Sequence, residues 1–410
     1  MLLRVHVQRG SQRVAGRVAR DSLNCDNRRQ PYGGTAATPP SGALVDYDAL
    51  IRAELELMRP YVAGLRASEV RERSGRSDIH KLSSNENPYG PVPGALAGMR
   101  EVISRLNVYP DGSARALKRR LCEHLDVADR HLVVGNGSNE LLRLIAQAVL
   151  APGDECVFAW PSFVVYPMVC QMTAATQVRV PLGDGDVHDL DAMADAITER
   201  TKLVFLCNPN NPTGTIYERE AFEAFLERVP AHALIIVDEA YFEYVTTPQY
   251  CDGLEYFDGQ RGLGVLRTFS KIYSLAGARI GYGVLPEPVV LALDKIREPF
   301  NVNTVAQVGA YYSLDAPEEI RRRRDENQEQ RAHLYSCFDR LGISYVPSET
   351  NFVYVHTDRP VVVFEELLSE GVIVRDFGTA PAVRVGVGSP DNTSATIAAF
   401  EAVVARVGSL

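Results

Sequence analysis

The chain has 410 residues, a net charge of −9, 46% hydrophobic and 23% charged residues. That length exceeds what one hydrophobic core holds, roughly 250 to 300 residues, so at least two structural units are expected. The acidic balance argues against a nucleic-acid footprint and for a small-molecule partner. The longest apolar runs, such as 233–237, fall far short of the roughly 20 residues a membrane span needs.

Seven cysteines, at 25, 122, 156, 170, 207, 251 and 337, are scattered, with no Cys-x-x-Cys pair and no histidine spacing that suggests zinc. This usage fits a reducing, cytoplasmic setting and no metal. Residues 1–45 carry seven arginines against Asp21 and Asp26, then glycine and proline pairs without apolar periodicity. They read as a disordered extension or an over-called start, with an organellar transit peptide as the alternative.

In chain order, a joining segment, 46–95, is expected to contribute to a small domain, and 96–304 to form a large one. Within the large domain, short apolar runs at 131–134, 155–159, 177–180, 203–207, 234–237, 264–266 and 280–284 read as strands. Between them lie amphipathic stretches at 140–150, 190–199 and 219–228. Alternating strands and helices imply βαβ units: an α/β domain with a mostly parallel seven-stranded sheet sandwiched by helices. From 305 to 410 the texture changes to a long charged helix, 317–341, short strands near Tyr345 and at 352–355, 372–375 and 383–387, and a last helix at 394–407. That pattern suggests a smaller α+β domain. The Arg321 to Arg324 run, flanked by acidic residues, reads as a solvated helix face.

Four motifs fall at strand ends, where open α/β sheets bind ligands. After Val134, Gly135-Asn136-Gly137-Ser138-Asn139 makes a tight turn into a helix. Ser138 and Asn139 there either present backbone N–H groups to an anion or simply cap the helix. Past the next strand, Trp160-Pro161-Ser162-Phe163 offers an aromatic ring for stacking. Phe163 is the candidate, and Trp160 and Tyr166 compete with it. Asn208-Pro209-Asn210-Asn211-Pro212-Thr213-Gly214 is a rigid turn that can hold Asn211 as a donor toward a phenolate oxygen. Asp238 ends an apolar strand, where an unpaired carboxylate is costly. A protonated pyridine nitrogen would offset that cost; the alternative is that Asp238 caps the next helix, and Tyr241 follows three residues on.

The fifth string, Thr268-Phe269-Ser270-Lys271 with Arg279 eight residues on, sets an amine for a Schiff base beside hydroxyls and a cation suited to a dianion. That combination suits pyridoxal 5′-phosphate (PLP). In order and content these strings resemble the fold-type I PLP-dependent aminotransferases, class I/II, over roughly residues 46 to 410. The resemblance implies that Lys271 bonds the cofactor, and that Ser138, Asn139, Thr268, Ser270 and Arg279 hold its phosphate. Asn211 and Tyr241 would bind its ring oxygen, Asp238 its ring nitrogen, and Phe163 would stack. It further implies a homodimer with shared sites, in which Tyr109 reaches the neighbouring subunit's cofactor phosphate.

Within that family, the string from Lys81 through Asn85 to Pro91, Tyr109-Pro110-Asp111 and the segments around Arg375 and Arg384 are most similar to histidinol-phosphate aminotransferases. That resemblance implies histidinol phosphate and 2-oxoglutarate as substrates, with Tyr61, Asn85, Arg375 and Arg384 on the substrate side. Two guanidinium groups suit a phosphate dianion where one suffices for a carboxylate. Val385-Gly386-Val387-Gly388 departs from the family's commoner string, which leaves the imidazole side open. The alternatives are aromatic amino acid transamination, threonine-phosphate decarboxylation on the same scaffold, and a cofactor-binding regulator; 1–45 is too short and irregular for a winged helix.

Overall fold

The computed structural model describes residues 47–56, 58, 60, 64–377, 380–408 and 410. The expectations for residues 1–45 and for Tyr61 lie outside the described residues. The chain divides into two units at residue 50. The described part of the first is one helical turn, Tyr47–Leu50. All later elements belong to the second, Ile51–Leu410.

After β1 (His80–Lys81) come β2 (Leu132–Gly135), β3 (Glu155–Trp160), β4 (Thr176–Pro181), β5 (Thr201–Cys207), β6 (Leu234–Asp238), β7 (Leu263–Thr268) and β8 (Gly281–Val284). Strands β2 to β8 form one seven-stranded sheet in the order β2-β8-β7-β6-β5-β3-β4. The ladders β4-β3-β5-β6-β7 are parallel, and β8 runs antiparallel to both its neighbours. The central strands are buried on both faces, which is why they read as continuous apolar runs.

Within those runs a period of two still operates. Leu203, Phe205, Leu234 and Ile236 join a core shared with the helices Ser138–Val149 and Val165–Met172. Val204, Leu206, Ile235 and Val237 join the opposite core, under the helices Leu190–Asp195 and Arg219–Arg228. Successive side chains of a strand point to opposite faces, so one sheet carries two cores.

Past the helix Pro317–Leu341, the strands β9 (Tyr345–Val346), β10 (Phe352–His356), β11 (Val372–Ile373), β12 (Arg375–Asp376) and β13 (Ala382–Gly386) build the smaller sheets. The order β12-β13-β10-β9 makes a four-stranded antiparallel sheet, and β1 pairs with β11 in parallel. The long helix starts with Pro317 and two glutamates and stops at Gly342, whose φ of 66° is the left-handed conformation glycine supplies.

Several expected boundaries shift. The helix expected over 190–199 stops at Asp195, because the Thr198 hydroxyl turns to Glu155 (2.6 Å) and the chain must enter β5 at Thr201. The strand expected over 372–375 is two strands that pair with different partners, β11 with β1 and β12 with β13. The last helix is Pro390–Val407, four residues longer at its start than expected, because Ser389 and Asn392 form a reciprocal capping box. The arginine run is a correction of another kind. Arg323 is buried and donates to the Ile272 carbonyl (3.0 Å), the Ser274 hydroxyl (2.7 Å) and the Gly90 carbonyl (2.8 Å). A helix turns 100° per residue, so four consecutive arginines cannot share one solvated face.

Candidate active site

A cavity of about 810 Å³ opens at the carboxyl ends of the parallel strands and extends to the four-stranded sheet. Among its walls are Ser138, Asn139, Phe163, Asn211, Asp238, Tyr241, Thr268, Ser270, Lys271 and Arg279, together with Asn85, Arg375 and Arg384. These residues span some 300 positions in sequence and converge because most sit at or near a strand end, while Arg384 reaches in from the middle of β13. Tyr109 does not line this cavity. It is 78% exposed and stacks on Phe300, with ring centroids 4.6 Å apart.

Lys271 follows β7 by three residues, and its Nζ stands 5.3 Å from the centre of the Tyr241 ring. Burial pushes its ammonium down from 10.5 to about 8; Arg384 and Arg279 push the same way, and Asp238 and Glu86 oppose them. About a tenth of this amine is therefore neutral at pH 7, far more than of an ordinary lysine, and able to take a proton or attack a carbonyl.

Asp238 is the last residue of β6 and is buried. The Tyr166 hydroxyl donates to its Oδ2 at 3.0 Å. Oδ1 makes no hydrogen bond of ordinary distance and angle among the described residues, although the Ala240 amide is near enough to favour the charged form. Burial pushes the carboxyl from 3.8 up to about 6, against the lowering effects of Tyr166, Ala240 and Lys271. An unsatisfied buried acceptor on a cavity wall is an invitation to a cationic N–H donor. Tyr166, one of the candidate stacking rings, is a core residue whose hydroxyl supports this carboxylate, while Trp160 and Phe163 stay on the cavity wall.

The opposite end of the cavity is built for an anion. The helix Ser138–Val149 begins there, preceded by Gly137 at φ 83°. A Cβ on Gly137 would lie 2.5 Å from Arg279 Nη2, and one on Gly281 would lie 2.6 Å from the Ser138 nitrogen. Glycine at both positions therefore lets backbone and guanidinium draw together. Thr268 accepts from the Ser270 N–H (3.1 Å), which holds the two hydroxyl-bearing residues in one turn. First-turn amides, two hydroxyls and Arg279 make a phosphate-sized donor set.

On the remaining side, Asn210 fixes the turn that carries Asn211: its N–H donates to the Thr215 carbonyl and its carbonyl accepts from Gly214, both at 2.8 Å. Asn211 Oδ1 accepts from Arg384 Nη1 at 2.6 Å, and Arg384 Nη2 donates to the Ser83 carbonyl at 2.8 Å. The Asn85 amide donates to the Tyr241 hydroxyl at 2.8 Å. Burial pushes that hydroxyl upward, so it stays protonated. Arg375 and Arg384 are register partners across β12 and β13. Like charges directly opposite in a sheet repel, so this pairing favours an anion between or above them.

Two features had no sequence signal. Arg323, reaching across from the long helix, bonds the carbonyl of Ile272, the residue after Lys271. Asp186 and His356, 170 residues apart, meet on the cavity wall. Among the described residues no group of three or more His, Cys, Asp or Glu side chains gathers to hold a metal, and no helix is long and apolar enough to cross a membrane. The six described cysteines are all unpaired.

Comparison with known proteins agrees with this geometry. A histidinol-phosphate aminotransferase of Moorella thermoacetica is 43% identical over 353 residues, covering 85% of this chain and 91% of that protein. An aromatic amino acid aminotransferase of Streptomyces avermitilis is 42% identical over 339 residues, covering 82% and 93%. The crystal structure of histidinol-phosphate aminotransferase from Sinorhizobium meliloti in complex with pyridoxal-5′-phosphate superposes with a TM-score of 0.80 at 25% identity, covering 87% of this chain and 97% of that one. The family model for aminotransferase class I and II matches residues 77–400, so the chain belongs to that family of aminotransferases.

Proposed function

We propose that the protein transfers the amino group of histidinol phosphate to 2-oxoglutarate, with pyridoxal 5′-phosphate as cofactor. The observation that carries the substrate is the register pairing of Arg375 with Arg384 on the wall of the cavity that holds Lys271. Two adjacent guanidinium groups match a phosphate dianion better than a single carboxylate.

The residues present fit the cofactor. Asp238 Oδ1 offers a partner to a ring N–H, Asn211 and Tyr241 line the same cavity and would donate to a ring oxygen, and Gly137 and Gly281 leave room for a phosphate beside Ser138, Asn139, Thr268, Ser270 and Arg279. The cofactor, when bound, supplies an aldehyde and a ring that takes up the electrons released at the substrate's amino carbon. Lys271 Nζ is the amine that would bond the aldehyde, and the base that would hold the proton taken from the amino carbon. Burial first, and then Arg384 and Arg279, keep enough of it neutral for that task. Asp238 stays charged once a cation faces Oδ1, and Tyr166 holds its orientation. Phe163 covers the cavity from the loop after β3. Asn85 orients the Tyr241 hydroxyl, and Tyr61 is assigned to the substrate side by resemblance alone.

The same proposal includes a homodimer in the cytoplasm, with a large domain over 96–304 and a small one over 305–410 to which 46–95 contributes. Exposed Tyr109 lies with exposed Ile103, Leu106 and Val108, an apolar surface suited to a second copy. A second reading, aromatic amino acid transamination, is favoured by the Streptomyces relative and by Phe163, Tyr354 and Phe377 on the cavity wall.

The deciding assay supplies the purified protein with histidinol phosphate and 2-oxoglutarate and follows glutamate, beside phenylalanine and threonine phosphate. Glutamate from histidinol phosphate is expected. Turnover with phenylalanine alone would replace this reading with the second.

A further inference from the structure

Part of the cavity wall is left unused by the steps above: Asp186, Tyr354 and His356. The turn that carries Asp186 is fixed from several sides. Its carbonyl accepts from the Thr215 hydroxyl (2.7 Å), its N–H donates to the Gly183 carbonyl (3.2 Å), and Gly183 N–H donates to the Val187 carbonyl (2.8 Å). Asp186 itself has φ 59°, a left-handed conformation that aspartate adopts more readily than most residues.

His356 comes from the other side, at the end of β10. Its N–H donates to the Ser344 carbonyl (2.9 Å), its ring packs edge-on against Tyr354 at 5.4 Å, and its Nε2 donates to Asp186 Oδ2 at 3.0 Å. Both side chains remain partly open, 29% for Asp186 and 37% for His356. Burial first, and then the Asp186 charge, pushes the Tyr354 hydroxyl up to about 12, so it remains a neutral phenol. The wall thus presents a fixed carboxylate acceptor beside an imidazole and a phenol.

The amino carbon of histidinol phosphate bears two arms, one ending in phosphate and one in an imidazole ring. With the amine at Lys271 and the phosphate at Arg375 and Arg384, the ring arm is left to the rest of the same cavity. A ring with an N–H can satisfy the Asp186 carboxylate. A phenyl ring would displace its water and return no hydrogen bond, and sites built to bond a donor discriminate against ligands that lack it.

We propose that Asp186, oriented by His356, selects the amino donor by accepting the N–H of a nitrogen-containing aromatic ring. This rests on the histidinol-phosphate reading. Asp186→Gly keeps the left-handed turn and deletes the carboxylate; Asp186→Asn keeps an acceptor oxygen and removes the charge. For each variant and for the unaltered chain, kcat/KM is measured with histidinol phosphate and with phenylalanine in one preparation, so that any misfolded fraction cancels in the ratio. The ratio in favour of histidinol phosphate is expected to fall roughly tenfold or more in Asp186→Gly, and less in Asp186→Asn. An unchanged ratio in Asp186→Gly, with the unaltered chain active on histidinol phosphate, overturns the ring-selecting role alone. No turnover of histidinol phosphate by the unaltered chain overturns the functional reading, and this proposal with it.

Discussion

Tyr166 donates its hydroxyl to one oxygen of the buried Asp238 and leaves the other without a hydrogen bond among the described residues. The protein without cofactor therefore carries an incompletely satisfied carboxylate in its interior. Its carboxyl is pushed from 3.8 up to about 6, so the folded state favours the protonated form. That preference stabilises the fold fully below about pH 4 and is lost as pH rises through about 6. Asp238→Asn should accordingly stabilise the cofactor-free protein at pH 7 by about 3 kcal/mol and by little at pH 4, while abolishing most activity. Denaturant titrations of both proteins at the two pH values measure this; an equal difference at both would refute it.

Lys271 should govern capture of the cofactor. The neutral amine attacks the aldehyde, so the capture rate of the cofactor-free protein should rise with pH through a midpoint near pH 8 and level off above it, well below the ordinary 10.5 of lysine. Arg384→Gln removes a cation that holds the amine's pKa down, and should move that midpoint upward. Lys271→Ala should show no capture band in the near-visible spectrum and no transamination. Stopped-flow absorbance across pH reads all three.

The paired arginines should act chiefly on substrate affinity. Arg375→Lys and Arg384→Lys each replace a planar, bidentate donor with a point charge and should raise KM for histidinol phosphate by roughly ten- to a hundredfold. Arg384→Lys should also lower kcat, because Arg384 bonds Asn211 and the Ser83 carbonyl. Steady-state kinetics with and without the phosphate on the substrate separates the two effects.

Gly137→Ala would force a methyl group into a left-handed backbone position 2.5 Å from Arg279 Nη2. Cofactor affinity should fall roughly tenfold or more, through displacement of one charge-assisted donor. Equilibrium dialysis against the cofactor measures the change.

Arg323→Ala should destabilise the protein by about 3 kcal/mol, since it strips three acceptors of a buried donor and leaves Glu319 without its buried partner. Arg321→Ala, on the exposed face of the same helix, should cost less than about 0.5 kcal/mol. Thermal or chemical denaturation of the two variants reads the contrast.

Much of the large sheet and of the site was legible because both are encoded locally. Strands buried on both faces appear as unbroken apolar runs, and turn residues mark where each run ends. The antiparallel direction of β8 was not legible, since a short apolar run carries no sign of direction. Helices such as Thr304–Ser313, buried against the helix Pro93–Val102 through Gly98 and Gly309, lack a clean polar face and left no periodic signature. The contact of Asp186 with His356, and the burial of Arg323, arise only when distant segments meet; no spacing in the chain announces them.

The return of β8 beside β7 has one more consequence. The amine at Lys271 and the cation at Arg279 hang from a single closed loop whose two ends are bonded to each other, Thr268 to Gly281. The amine and one phosphate-facing cation are thus carried on one contiguous segment, whereas Arg375, Arg384, Asp186 and His356 belong to other loops and another sheet. Asp186 and His356 can therefore change without touching that segment, whereas Arg384, which bonds Asn211 and acts on the Lys271 amine, ties the substrate side to the cofactor side.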